Sequence, residues 1–426
     1  MSNRNSYRLN GADRFQLYFD AVARKNTGIG NVIRAAVTVG GIIPETEIRQ
    51  AIGANEWLNF LSSLSLKKNL FSSLYRFERT DKSIPISLTF HQGTYEEAMR
   101  QVVTKDCNLK AGTPLHVDAV YGENKTHLVF SVSHVLIDHA GMEILLSSFE
   151  GENISATAPV PVFRKSFFKK LADASSATMF VSSRSGSDMK RLKRKSGPGK
   201  AAFELMELTA EETFRVKNQM SAMNASALSF FLGCSLFSIG RNQKLLTGIN
   251  YFVPVPMDRR PASCKNSLLS NFLSFIYFKA KDSDLESLKS SVELISKQTI
   301  LQARKSIPQK FSSLLDIFRF VPDPFYKAFI DLPSKGHAAT FAFSLLSKSG
   351  LEGKKILGYK VSDVTHYAPV ISPPGLNVIF SEFNGSLKIL CSFDESRISK
   401  DEVALYLDVI KLNLMGQEKT TSLRSQ

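Results

Sequence analysis

The chain has 426 residues, too long for one ordinary core and suited to two domains of about 150–200 residues each. Apolar residues make up 43% and charged residues 22%, a globular balance that excludes an intrinsically disordered chain. Lys and Arg number 54 against 39 Asp and Glu, a net charge of +15, and the four cysteines Cys107, Cys234, Cys264 and Cys391 lie far apart without a C-x-x-C pair. That spacing argues against a zinc site and a disulfide framework and suits a reducing compartment. The first residues, MSNRNSYRLNGADRFQLYF, lack the apolar core of a signal peptide. No stretch approaches the roughly 18 apolar residues of a spanning helix, so a cytoplasmic location is expected.

In chain order, GIGNVIRAAVTVG (28–40) reads as a strand and residues 43–63 as a helix after Pro44. ISLTF (86–90) is a strand, and LHVDAVY (115–121) and HLVFSVSH (127–134) form a hairpin across the polar turn GENK. Met142, Leu145, Leu146 and Phe149 then mark one face of a helix that Asp138 can cap. Residues 164–200 hold eleven Lys or Arg against Asp173 and Asp188, are rich in Ser and end in SGPGK. They read as a basic crossover linker between an N-terminal lobe, 1–163, and a C-terminal lobe, 201–426. A polyanion is the alternative reading: an acidic carrier protein, a phosphorylated cofactor or an anionic membrane. Nucleic acid is the weakest candidate and is not expected, because the segment lacks regularly interleaved aromatics and no helix-turn-helix, zinc-finger or RNA-binding signature is present.

Past the linker the pattern restarts. FELMEL (203–208) is a strand, Thr209 and Glu212 form a capping box, and residues 224–240 read as a buried helix. Strands are predicted at 245–258 and 273–280, an amphipathic helix at 283–304, and a hairpin at 376–393 around Asn384-Gly385. Ser399 and Glu402 box the last helix. Strands and helices mix without strict βαβ alternation, which predicts two α/β (α+β) lobes.

One constellation carries chemistry: His134 and Asp138 in SVSHVLIDHAGM. A histidine at a strand end can point into a cleft and take a proton near neutral pH. A carboxylate four residues on can fix the turn or pair with an arginine. Taken alone, the spacing favours a core histidine at a strand end and a helix cap.

The stretch resembles the H-x-x-x-D-G motif of the chloramphenicol-acetyltransferase-like superfamily, which includes condensation domains and acyl-CoA acyltransferases. DCNLKAGTPLHVDAVYGENKTHLVFSVSH resembles the family's approach to the motif. VPVPMDRRP with LLSNFLSFIYF resembles its P-x-(N/D)-x-R … G-N region, at Met257–Arg260 and Asn271, and the ending resembles its final hairpin and helix. The matches cover most of the chain. The chain departs in having His139 for the motif glycine, with Gly141 displaced, and Ser133 where condensation domains carry a second histidine. It also lacks D-F-G-W-G, and FAFSLLSKSG (341–350) has no Asn where many members show Ser-Asn.

The resemblance implies two lobes forming a V, with a channel at their interface. His134 is then the general base that deprotonates a hydroxyl or amine acceptor as it attacks a thioester. Asp138 supports the motif by pairing with an arginine, for which Arg76 is the candidate. Arg191, Lys193 and Arg194 are the candidates for docking an anionic donor. No permanently bound cofactor and no metal are expected; acyl-CoA or a phosphopantetheinyl thioester is a co-substrate, an acyl carrier protein a partner, and the chain a monomer. Phe341, Phe343, Phe380 and Phe383 are candidate walls of an apolar tunnel, with core packing as the alternative. His139 and His366 are either channel groups or ordinary helix-start and loop residues. Two other readings of the whole stay open: an inactive condensation-domain-like binding protein, and a peripheral membrane binder acting through residues 164–200.

Overall fold

The computed structural model describes residues 6–69, 74–80, 85–151, 154–155, 166–183, 188–195, 199–241, 245–331 and 339–417. The first large sheet has six strands in the order Lys355–Ile356, Tyr359–Tyr367, Val32–Gly40, Lys125–Ser133, Leu115–Gly122 and Ser87–His91. Its strands are antiparallel except for Ser87–His91, which runs parallel to Leu115–Gly122. Val32–Gly40 is buried at every position but its last, as a strand covered on both faces requires. The predicted 115–134 hairpin closes through Glu123-Asn124, with Asn124 in the left-handed region at φ 50°.

A second sheet, in the order Ala342–Leu345, Leu376–Phe383, Ser386–Asp394 and Ala201–Glu207, forms the other lobe. Its hairpin turns at Asn384-Gly385, where φ is 48° and 81°, the paired positive values that a two-residue hairpin turn demands. Asn250–Asp258 and Leu273–Lys281 pair as a separate antiparallel ribbon. The lobes meet in an apolar cluster where Ala36, Val129 and Tyr367 of the first sheet pack with Ile379 and Leu390 of the second. Among the described residues no single helix is long and apolar enough to cross a membrane.

Three expectations change. The 43–63 helix is two helices, Glu45–Ala54 and Glu56–Ser62. Asn55 breaks it because its side chain turns back to accept from Trp57 N and Leu58 N, capping the second helix. Residues 164–200 are not all linker: Phe167–Ser182 is a helix whose Ala174 and Ala177 are buried, while Phe167 and Phe168 face outward. Its predecessors Arg164 and Lys165 lie outside the described residues. Finally, Tyr359–Tyr367 follows the second lobe's helices in sequence yet pairs with Val32–Gly40 in the first sheet. A C-terminal lobe of 201–426 therefore lends a strand to its neighbour.

Candidate active site

The strand Lys125–Ser133 delivers His134 to the start of a short loop, and the helix His139–Ser147 closes that loop. His134 N donates to Asn31 O at 2.8 Å. His134 Nδ1 lies 2.9 Å from Ile137 O. A carbonyl only accepts, so Nδ1 carries the proton and Nε2 keeps its lone pair. Burial lowers the pKa of this imidazole, partly offset by its bond to Ile137 and the charge of Asp138, so the neutral form is favoured. Gln16 Nε2 stands 3.4 Å from His134 Nε2. Its orientation is fixed because Gln16 Oε1 accepts from Asn31 Nδ2 at 2.8 Å.

Asp138 caps the following helix by accepting from Gly141 N at 2.8 Å. The same Oδ1 accepts from Arg260 Nη2 at 2.5 Å, and Oδ2 accepts from Phe272 N at 2.9 Å. Both oxygens are thus committed to holding the loop against the second half of the chain. The arginine that pairs with Asp138 is Arg260, not Arg76. Arg76 lies on the strand Tyr75–Arg79, half exposed, and pairs with Glu78 at 2.9 Å. Arg260 is buried, donates to Ser267 O at 2.6 Å and lies over the Phe272 ring with 4.4 Å to the centroid. The sequence resemblance did bring Arg260 forward, within Met257–Arg260, but proximity in sequence to the first lobe favoured the wrong arginine.

Asn271 completes the clasp. Its Nδ2 donates toward His134 O at 3.0 Å and Val135 O at 3.2 Å, and its backbone N donates to Asp13 Oδ1 at 2.7 Å. Ser270 before it takes φ 85°, a backbone region costly for any residue but glycine. It occupies the glycine place of the G-N pair. Asp13 is wholly buried in the helix Gly11–Thr27 and forms a capping box with Asn10. Burial raises its carboxyl to about 6, against the pull of hydrogen bonds from Asn271 and Asn10. Sequence reading missed Asp13, Gln16 and Asn31. The Asn10-x-x-Asp13 box was the available signal for the helix, and nothing local marks Gln16 or Asn31 as neighbours of His134.

Of the remaining candidates, Ser133 is buried with Oγ unpartnered. His139 and His366 come together, with ring centroids 4.5 Å apart. Phe341, Phe343, Phe380 and Phe383 are buried in the apolar cores and are not tunnel walls. The aromatic cavity lies elsewhere, about 160 Å³ between the helix Gly11–Thr27 and the second lobe, lined by Phe15, Phe19, Phe252, Phe275, Phe311 and Phe329 among others. Arg191 pairs in a two-residue strand with Thr247, while Lys193 and Arg194 are exposed. Their neighbours are pinned: Lys190 binds Asp282 at 2.6 Å and Lys195 binds Glu402 at 2.6 Å. No described hydrogen bond or ion pair links this stretch to His134.

No family model and no curated protein matches the chain. Solved structures do. The chain is similar to trichothecene 15-O-acetyltransferase from Fusarium sporotrichioides, with TM-score 0.71, 10% identity, and coverage of 97% of this chain and 95% of that one. It is similar to the first condensation domain of the calcium-dependent antibiotic synthetase in complex with a substrate analogue, with TM-score 0.70, 12% identity and 99% coverage of both. The starter condensation domain of rhizomide synthetase, a variant in complex with C8-CoA and Leu-SNAC, matches with TM-score 0.67 and 10% identity over 97% of this chain and 94% of that one. The chain therefore has the chloramphenicol-acetyltransferase-like α/β fold, in the two-lobed form of condensation domains.

Proposed function

We propose that the protein is an acyltransferase that moves an acyl group from a CoA or carrier-protein thioester to a hydroxyl or amine acceptor. The observation that carries this reading is the state of His134. With Nδ1–H spent on the Ile137 carbonyl, Nε2 is the nitrogen left to accept a proton. In the step proposed, the acceptor oxygen or nitrogen attacks the thioester carbonyl while its proton passes to Nε2. The tetrahedral intermediate then collapses, the carbon–sulfur bond breaks, and the leaving thiolate takes the proton back from the imidazolium. Base catalysis of this kind supplies about 10²–10⁴-fold; alignment of donor and acceptor and stabilisation of the oxyanion supply the rest. Asp138 is a positioning residue here, since both its oxygens are engaged away from the ring. Gln16 Nε2 is a side-chain amide beside the base, 3.4 Å from its Nε2.

Two further observations support the donor. The similar starter condensation domain was solved with C8-CoA, and the apolar cavity beside Phe15 and Phe19 suits a hydrocarbon acyl chain. The test is thiol release from acetyl-, octanoyl- and palmitoyl-CoA, and from the matching pantetheine thioesters, with pooled amine and alcohol acceptors and product masses read by mass spectrometry. Acceptor-dependent release, lost in His134→Ala, is the expected result. Equal release by wild type and His134→Ala across every donor would sink the reading.

A further inference from the structure

The helix His139–Ser147 sets His139 and Glu143 one turn apart on one face, and the strand Tyr359–Tyr367 brings His366 against both. One nitrogen or oxygen from each of the three side chains lies within 4.8 Å of the other two. His139 Nε2, His366 Nε2 and Glu143 Oε1 are all shielded from solvent and lack a hydrogen-bond partner. His366 Nε2 and Glu143 Oε1 approach to 2.8 Å without the alignment of a hydrogen bond. His366 and Glu143 thus meet only each other, and His139 Nε2 converges on them with no partner of its own. Tetrahedral ligands about 2.1 Å from a common ion stand about 3.4 Å apart, so the 2.8 Å pair opens by about half an ångström to take one.

The surroundings are those of a held ligand set. Glu143 Oε2 accepts from Ser349 Oγ and Gly350 N, both at 2.8 Å, which fixes the carboxylate and turns Oε1 to the rings.

We propose that His139, Glu143 and His366 bind a divalent first-row transition ion, zinc in the first instance. Two imidazoles and one carboxylate suit zinc and its neighbours, whereas calcium and magnesium favour sets made of oxygen alone. The ion would tie the helix that follows the motif to the strand donated by the second half of the chain. It would also give His139, which stands where the motif has glycine, a use of its own. The proposal does not depend on acyl transfer.

The test uses the full chain, stripped with a chelator and titrated with Zn²⁺ by calorimetry, with Co²⁺ absorption bands as a second readout. One equivalent is expected to bind and raise the melting temperature. His139→Ala, Glu143→Gln and His366→Ala should each weaken binding at least about 10-fold, the loss typical of disturbing even an outer partner of a metal ligand. His139→Gly restores the motif residue and carries the test if His366→Ala fails to fold. The control is His116→Ala, since His116 Nε2 lies 3.7 Å from Asp118 Oδ2 in a separate cluster with His91. No saturable binding by wild type, equal affinity in the three ligand variants, or loss of binding in His116→Ala would each overturn the proposal.

Discussion

Asp138 has a histidine on either side in the chain, and the two are held in opposite ways. His134 is pinned through its ring Nδ1, its backbone N and its backbone O, which leaves the Nε2 lone pair facing only the Gln16 amide at 3.4 Å. His139 lies against His366 with Nε2 buried and unpaired. The difference teaches that position next to the motif does not decide the chemistry. What decides it is which polar atoms the surrounding network has already used.

The largest expected effect breaks or confirms that contrast directly. His134→Ala should lower acyl transfer by about 10²–10⁴-fold and leave a cooperative melt, because the half-buried ring fills little core. His139→Ala should cost far less in turnover. If the two losses were reversed, His139 would be the base and the pinned nitrogen irrelevant. Next in size is the loop's ionic clasp. Asp138 and Arg260 have side-chain exposures of 15% and 5%, so removing one partner strands the other. Asp138→Asn or Arg260→Met should each cost about 3–5 kcal/mol of stability in urea unfolding, and the double variant less than the sum. Strict additivity would mean the two groups do not act as a pair. Arg76→Met, by comparison, should change stability by less than about 1 kcal/mol.

Much of this was legible in the sequence. The hairpin before His134, the cap at Asp138, the boxes at Thr209 and Ser399 and the Asn384-Gly385 turn all rest on local chemistry, which a sequence displays directly. What stayed hidden is long-range. Arg260 lies 122 residues from Asp138 and Gln16 lies 118 from His134, and nothing in either neighbourhood names its partner. The strand Tyr359–Tyr367 could not be assigned to the first sheet, because sheet membership depends on the path of the chain rather than on the strand's own residues. Of the two readings of Phe341, Phe343, Phe380 and Phe383, tunnel wall and core packing, the structure gives core packing, as most buried phenylalanines are core.

Smaller, but diagnostic, is the pH profile. The folded His134 pKa lies below the usual imidazole value, burial being the main cause. A depressed pKa keeps the base neutral as pH falls below about 6.5, and that form is lost only on passing through the folded value. The acid limb of kcat/KM should therefore fall below pH 6.5, and Ile137 cannot be replaced to test the pin, since the contact is to its backbone. Gln16→Ala can be tested: it removes the amide beside Nε2 and admits water, so the limb should move back toward the usual value. An acid limb at or above 6.5 in wild type would show that the base is solvated, and the contrast with His139 would weaken.

The smallest effect concerns the basic stretch, where the same distinction between engaged and unengaged groups applies. Lys190 and Lys195 are bound to Asp282 and Glu402, so their charge is already answered. Arg191 is half-buried in a strand pair, and reversing it would disturb the fold as well as the field. Lys193 and Arg194 are exposed, and they are the residues whose charge an approaching CoA or acidic carrier protein would feel. Exposed charges act on encounter and are screened beyond about 8 Å at physiological salt. Lys193→Glu with Arg194→Glu should therefore reduce kcat/KM for the donor by a few-fold, on the order of 1 kcal/mol, and leave kcat unchanged. The loss should shrink as salt rises and be larger for a carrier-protein donor, which presents many charges at once, than for acyl-CoA. Wild-type kinetics with both donors at low salt would remove these two residues from donor docking, and a loss confined to kcat would place them in a structural role instead.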